Sequence, residues 1–225
     1  MSKLIVIPTP IGNLEDVSER IRNALVEVDF ILAEDTRHTG NLLKLLGLQN
    51  AMRSYHKFNE HKMLESFIVS IEQSVSVGLV SDAGTPGISD PGYLIVRECL
   101  QKGIEVECLP GPTAFVPALI LSGFPCDRFC FEGFLPQKKG RKKRIEELKS
   151  EVRTMIFYES PYRIGKTLKE LSGEFGADRL ASVSRELTKK FEETKRGSLQ
   201  ELSNHFLEKK NKGEFVVVVE GFKKD

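Results

Sequence analysis

Short runs rich in β-branched and aromatic residues alternate along this chain with longer stretches whose apolar residues recur every three or four positions. That alternation is the mark of βαβ units and predicts an α/β protein with a mostly parallel sheet. Residues 4–7 read as a short buried strand, ended by Pro8 and Pro10, which cannot donate to a ladder. Ile21, Leu25 and Val28 form one helical stripe, with Asp16 or Ser18 able to cap its start. Residues 30–33 read as the next strand. Met63, Leu64, Phe67, Ile68 and Ile71 form a second stripe, ahead of a strand at 75–80. A helix after Pro91 runs to Gly103, a left-handed terminator, before a strand at 104–109. In the second half, strands at 129–131, 155–158, 180–184 and 215–219 have helices between them, and Ser198 with Glu201 spells a capping box. The expected domains are 1–115 and 116–225, with the boundary near residues 113–117.

A chain of 225 residues can bury a core without staples. Cys99, Cys108, Cys126 and Cys130 match neither zinc clips nor a disulfide framework, so no metal is expected, and buried reduced thiols are. The apolar run before Pro8 is too short for a signal peptide, and no run approaches the ~18 residues that span a bilayer. The expectation is a soluble, cytoplasmic protein without a membrane partner. Net charge is only +1, yet six of the 33 basic residues, Lys138, Lys139, Arg141, Lys142, Lys143 and Arg144, fall within seven positions. The rest of the chain, with 27 basic against 32 acidic residues, is acidic.

Three of the strands in the first half run into segments dense in Gly, Pro and small polar residues: 8–13, 81–92 and 110–114. In a parallel sheet all three emerge at the carboxyl edge, where open α/β folds bind ligands. Glycines let backbone groups approach a ligand, and prolines fix loop shape before binding. A small-molecule cleft follows. Known phosphate fingerprints are absent: no G-x-G-x-x-G occurs, and residues 160–167 miss the phosphate-loop pattern, with Ser160 in place of glycine and Pro161 removing an N–H.

The strings Ile7-Pro-Thr-Pro-Ile-Gly-Asn-Leu-Glu-Asp16, Ala33-Glu-Asp-Thr-Arg-His-Thr39, Leu79-Val-Ser-Asp-Ala-Gly-Thr-Pro86 with Ser89-Asp-Pro-Gly92, and Leu109-Pro-Gly-Pro-Thr113 resemble the ribosomal RNA small subunit methyltransferase I family. Phe131-Glu-Gly-Phe-Leu-Pro136, Ile156-Phe-Tyr-Glu-Ser160, Arg185-Glu-Leu-Thr-Lys189 and Gly213-Glu214 extend the resemblance over nearly the whole chain. It implies the two-domain tetrapyrrole methylase fold, with a parallel-sheet N-terminal domain, a mixed-sheet C-terminal domain, S-adenosylmethionine in the cleft between them, and a homodimer. The implied activity is 2′-O-methylation of a cytidine ribose in the decoding centre of 16S rRNA, with that RNA or the small ribosomal subunit as partner. By the same resemblance the cofactor is lined by Pro10, Ala83, Gly84, Thr85, Ile88, Thr113 and Ala114, and by Tyr158, Glu159 and Leu187 of the second domain. Asp82 is adjacent and orients its loop.

Methyl transfer to an alcohol needs no covalent nucleophile, but a protonated hydroxyl reacts poorly without a proton acceptor nearby. Asp35 at the end of the second strand is the first expectation, with His56 and Glu60 behind it. A local ion pair of Glu34, Asp35 and Arg37 is the competing structural reading. For RNA, the basic run at 138–144 is the expected contact, extended by Arg37, Arg163 and Arg185. Lys189 could join that patch, and Phe134, Tyr55 and Phe58 could stack on a base or pack in the core. Two alternatives share these residues: a tetrapyrrole methyltransferase, and a non-catalytic RNA-binding assembly protein.

Overall fold

A computed structural model describes residues 2–208 and 210–223, which divide into two compact units, Met1–Thr113 and Ala114–Asp225. The first is built on a five-stranded sheet of β1 (Lys3–Val6), β2 (Phe30–Ala33), β3 (Met52–Ser54), β4 (Ser76–Val80) and β5 (Glu105–Cys108). Its order is β3-β2-β4-β1-β5 and every pairing is parallel. Period-two alternation sorts the strand side chains onto two cores. Leu4, Val6, Phe30 and Leu32 face one way, with Phe67, Ile68 and Ile71 of α3 (Glu60–Glu72) and Ile95 and Cys99 of α4 (Tyr93–Gln101). Ile7, Ile31 and Ala33 face the other, with Ile21 and Leu25 of α1 (Glu19–Glu27) and Leu43 of α2 (Thr36–Leu46). Both faces being covered, the interior strands β1, β2 and β4 read as nearly continuous apolar runs.

The second unit starts with α5 (Phe115–Ser122) and continues through β6 (Phe129–Phe134), α6 (Arg141–Leu148), β7 (Thr154–Glu159), α7 (Ile164–Phe175), β8 (Leu180–Arg185), β9 (Glu193–Ser198), α8 (Leu199–Leu207) and β10 (Phe215–Val219). Its sheet order is β6-β7-β10-β8-β9, with β6 parallel to β7 and the other pairs antiparallel, so the sheet is mixed. Met155, Phe157, Val183, Val217 and Val219 pack with Leu168 and Leu171 of α7 and Leu199, Leu202 and Phe206 of α8. On the opposite face Val216 and Val218 are also buried, and α5 lies against β7, β8 and β10.

The strands expected from the apolar runs all form, within one to three residues at their ends. Among the strands and α-helices, four escaped the sequence reading: β3, β9, α2 and α5. β3 has no apolar run, half of β9 is charged and it lies at a sheet edge, α2 follows β2 with only two intervening residues, and α5 begins within the expected boundary at 113–117. Of the two proposed caps for α1, Ser18 serves: its Oγ accepts the Ile21 N–H at 3.3 Å. Gly103 takes φ +71°, as a left-handed terminator does. The thiols depart from expectation, because only Cys99 is buried, while Cys108 and Cys126 are exposed and Cys130 is half-buried. No described helix is long and apolar enough to cross a membrane.

The Ser198 capping box forms in full: Ser198 Oγ accepts the Glu201 N–H at 3.2 Å and Glu201 Oε2 accepts the Ser198 N–H at 2.8 Å. Ser198→Ala removes one half of it, and chemical denaturation should show a loss of about 1 kcal/mol.

Candidate active site

Because β1 and β4 are parallel neighbours, the segments after them leave the same edge of the sheet, and a short antiparallel bridge joins them. The Thr9 N–H donates to Gly84 O at 2.9 Å, the Gly84 N–H returns to Thr9 O at 3.0 Å, and the buried Thr9 hydroxyl donates to Ser81 O at 3.1 Å. Residues 110–114 close on the same group. Thr85 Oγ1 donates to Pro112 O at 3.1 Å and lies 2.8 Å from Thr113 Oγ1. There is little slack. A Cβ on Gly111 would sit 2.5 Å from Pro8 Cβ, and one on Gly84 would press Ile11 at 3.3 Å. Gly84, Gly87 and Gly92 adopt φ of +84°, +86° and +152°, which side chains rarely allow. Of the residues expected around a cofactor here, Pro10, Asp82, Thr85, Ile88 and Thr113 are half-buried, Ala83 is exposed and Gly84 is buried.

Across residues 8–13, 81–92 and 110–114 the only charged side chains are Asp82 and Asp90. An edge with two carboxylates and no cation repels phosphate and suits a ligand carrying positive charge.

The neighbouring corner holds the expected catalytic residues. Asp35 is the N-cap of α2, its Oδ1 accepting the Arg37 N–H at 2.9 Å, and its carboxylate forks onto the Arg37 guanidinium at 3.1 and 2.7 Å. The Arg37 side chain and N–H hold this carboxyl far below the usual carboxylate range, which makes Asp35 a weak proton acceptor. The structural reading of Asp35 and Arg37 as an ion pair is what forms. Glu34 stands apart from it: burial and the Asp82 carboxylate push its proton affinity up, against Lys57 and His56. Asp82 Oδ1 accepts the Asp35 N–H at 3.1 Å, so Asp82 orients this corner. Glu60, the first residue of α3, accepts the Tyr55 hydroxyl at 3.2 Å. Tyr55 itself is in the core, edge-on to Phe67. Phe58 is the opposite case: 85% exposed, with Lys57 Nζ 5.1 Å from its ring centre and His56 edge-on at 6.0 Å.

In the second unit Glu159 is buried and fully engaged. Its oxygens accept the Ser160 N–H at 2.7 Å, Arg163 Nε at 2.9 Å and the Thr167 hydroxyl at 2.6 Å. Its carboxylate therefore secures the start of α7. Tyr158 is half-buried, stacked edge-on with Phe131 and Phe134, and the Phe134 ring is half exposed. Leu187 is buried between Glu186 and Thr188, two non-glycine residues at positive φ (51° and 67°). Ala114 opens α5.

The basic run is divided by its contacts. Arg141, with a side chain 11% exposed, bonds Glu170 at 2.7 Å, Thr167 at 2.8 Å and Pro136 O at 3.2 Å. Arg144 forks onto Glu132 at 2.9 and 2.8 Å and reaches Glu147 at 3.0 Å. Arg163 is held by Glu159, Arg185 Nη2 by Phe191 O, and Lys189 by Glu186 and Glu214. Each of these cations has at least one protein partner. Lys138, Lys139 and Lys142 are exposed, and Lys143, 83% exposed, makes only a 3.9 Å contact with Glu147. Sequence spacing could not separate the two sets, since Glu170 and Glu132, which take Arg141 and Arg144, lie on α7 and β6.

Gly111→Ala should cost about 1–3 kcal/mol, because neither proline ring nor backbone can move far enough to admit the methyl. Gly173→Ala is the control. It lies within α7 with nothing inside 4 Å of the new Cβ and should gain about 0.5–1 kcal/mol, both read by chemical denaturation.

Residues 3–203 match the family described as Tetrapyrrole (Corrin/Porphyrin) Methylases. The chain is 45% identical over 221 residues to Ribosomal RNA small subunit methyltransferase I of Thermotoga maritima, covering 98% of this chain and 99% of that one. It is 45% identical over 224 residues to the protein of the same name from Escherichia coli O157:H7, covering 98% of this chain and 78% of the relative. Among solved structures it resembles diphthine synthase, with a TM-score of 0.75 at 17% identity over 98% and 90% of the two chains. It also resembles uroporphyrin-III C-methyl transferase from Thermus thermophilus complexed with S-adenyl homocysteine, with a TM-score of 0.67 at 16% identity over 96% of each. The parallel and mixed sheets are thus those of the tetrapyrrole methylase fold, and the chain belongs to the tetrapyrrole methylases and, within them, to the ribosomal RNA small subunit methyltransferase I family.

Proposed function

We propose that this protein is an S-adenosylmethionine-dependent methyltransferase of small-subunit rRNA, and that its acceptor is the 2′-hydroxyl of a cytidine in the decoding centre of 16S rRNA. The observation that carries the reading is the edge formed by residues 8–13, 81–92 and 110–114, locked by the Thr9–Gly84 bridge and bearing carboxylates without cations. Such an edge fits a sulfonium cofactor and not a nucleotide phosphate. The names of the relatives, which are rRNA methyltransferases at 45% identity, point the same way.

Bound there, S-adenosylmethionine supplies an electrophilic methyl group on a positively charged sulfur. The chain's own contribution is positioning, which can supply much of the barrier reduction in a single displacement. Pro10, Ala83, Gly84, Thr85, Ile88 and Thr113 would hold the cofactor through backbone groups and a rigid apolar wall, with the Thr85–Thr113 hydroxyl pair fixing the two loops relative to each other. RNA attraction falls to Lys138, Lys139, Lys142 and Lys143, the members of the basic run left open to solvent. Phe58, an exposed ring flanked by Lys57 and His56, is suited to stack on an unpaired base.

Calorimetry should show S-adenosylhomocysteine binding to the purified protein. Labelled cofactor should mark 16S rRNA in small subunits and leave a porphyrin precursor unmarked. Replacing the four lysines by alanine should spare cofactor binding, weaken the RNA interaction and reduce its salt slope by about 0.7 for each phosphate no longer neutralised. A protein that ignores S-adenosylhomocysteine with and without RNA would refute the reading.

A further inference from the structure

Four carboxylates gather where β2 and β4 end and α3 begins, and three of them are engaged. Asp35 is bound to Arg37 and to the first turn of α2, Asp82 accepts the Asp35 N–H, and Glu60 accepts the Tyr55 hydroxyl. Glu34 differs. Its one hydrogen bond is a 3.5 Å contact from the Asp82 N–H, at the outer limit for such a bond, so its carboxylate keeps most of its accepting capacity. It is half-buried, directly after the last residue of β2.

The groups around it come from two loops. Asp82, whose N–H reaches it, belongs to the segment after β4, and the charges of His56 and Lys57 act on it from the loop between β3 and α3. That loop is held firmly. Asn59 Oδ1 accepts the His56 N–H at 2.8 Å, Asn59 Nδ2 donates to Ser54 O at 2.9 Å, and the Asn59 and Glu60 N–H groups both return to His56 O at 2.9 Å. His56 Nδ1 is buried and bonds no described protein group. A buried polar atom without a protein partner is costly unless water or a bound molecule meets it.

We propose that Glu34 is the catalytic base of the methyl transfer, an inference that rests on the reading of the protein as an rRNA methyltransferase. Its carboxylate takes the proton of the acceptor hydroxyl. The oxygen's electron pair forms the new bond to the methyl carbon, and the carbon–sulfur bond breaks onto sulfur, leaving a neutral thioether. Asp35 cannot do this as well, because its affinity for a proton is lowered by Arg37. Burial and Asp82 raise the affinity of Glu34, which brings it nearer the range in which a base operates. The same shift has a consequence for stability. A carboxyl with raised folded-state affinity favours the fold at low pH and loses that contribution as pH rises through its folded pKa. Ionised Glu34 therefore burdens the fold at neutral pH.

The test compares wild type with Glu34→Gln in single-turnover methylation of small subunits from pH 5 to 9. It is joined by S-adenosylhomocysteine calorimetry, thermal unfolding and carbon NMR titration of the glutamate carboxyls in the free protein. The wild-type rate should rise tenfold per pH unit below the Glu34 pKa and then level. Glu34→Gln should lose about 10²–10⁴-fold in rate and lose that acidic limb. Cofactor-product binding should stay within twofold, and the unfolding midpoint at neutral pH should not fall. The glutamate signal missing from the variant should titrate above the ordinary 4.5. A variant within threefold of an active wild type, with the same pH profile, overturns the proposal, and so does a Glu34 signal titrating at or below 4.5. A wild type that transfers no methyl to the subunit overturns the functional reading, and the proposal with it.

Discussion

Two hydrogen bonds between Thr9 and Gly84 hold together the part of the first domain that can meet a ligand. They exist because β1 and β4 run parallel side by side, so both chains arrive at the same edge with one residue of each still able to pair. The third segment is held against them by the Thr85 and Thr113 hydroxyls and by the contact of Gly111 with Pro8. Each segment alone would be a flexible turn. Joined, they form a rigid surface whose backbone groups are fixed before anything binds, which lowers the ordering cost of association.

Electrostatics then divides the labour within the chain. The first domain's edge carries carboxylates, and these differ sharply in character although they are neighbours in sequence. Asp35 and Glu34 are adjacent, yet Arg37 holds one proton affinity down while burial and Asp82 raise the other. Environments that drive two carboxyls apart are how a protein separates a structural acid from one that can exchange a proton. In the second domain the basic run is similarly divided. Arg141 and Arg144 turn to Glu170 and Glu132 and tie α6 to α7 and β6, which leaves the lysines to set the field outside.

Much of the fold was legible because apolar periodicity is a local signal. Strands β1, β2, β4, β6, β7, β8 and β10 are short, mainly apolar runs, β5 alternates apolar and acidic residues between Ile104 and Leu109, and the stripes of α1 and α3 face the cores that their spacing implies. β3 and β9 were not legible, since strands at a sheet edge are held by pairing to neighbours and need no apolar run of their own. At the site, the Gly- and Pro-rich segments announced themselves, while the contacts of two expected site residues did not: Asp35, read as a proton acceptor, caps α2, and Glu159, read as lining the cofactor, also holds the start of α7.

Sequence by itself determined the family, the alternation of strand and helix, the three segments at the sheet edge and the excess of charge at residues 138–144, because each is written in residue type and spacing. Only the tertiary structure decided which carboxylates and cations are available to a ligand. That depends on partners brought together from distant parts of the chain: Glu170 to Arg141, Asp82 to Glu34, Thr167 to Glu159. A charged side chain reads the same in sequence whether it faces solvent or a partner of opposite sign, and it is the partner that fixes its chemistry.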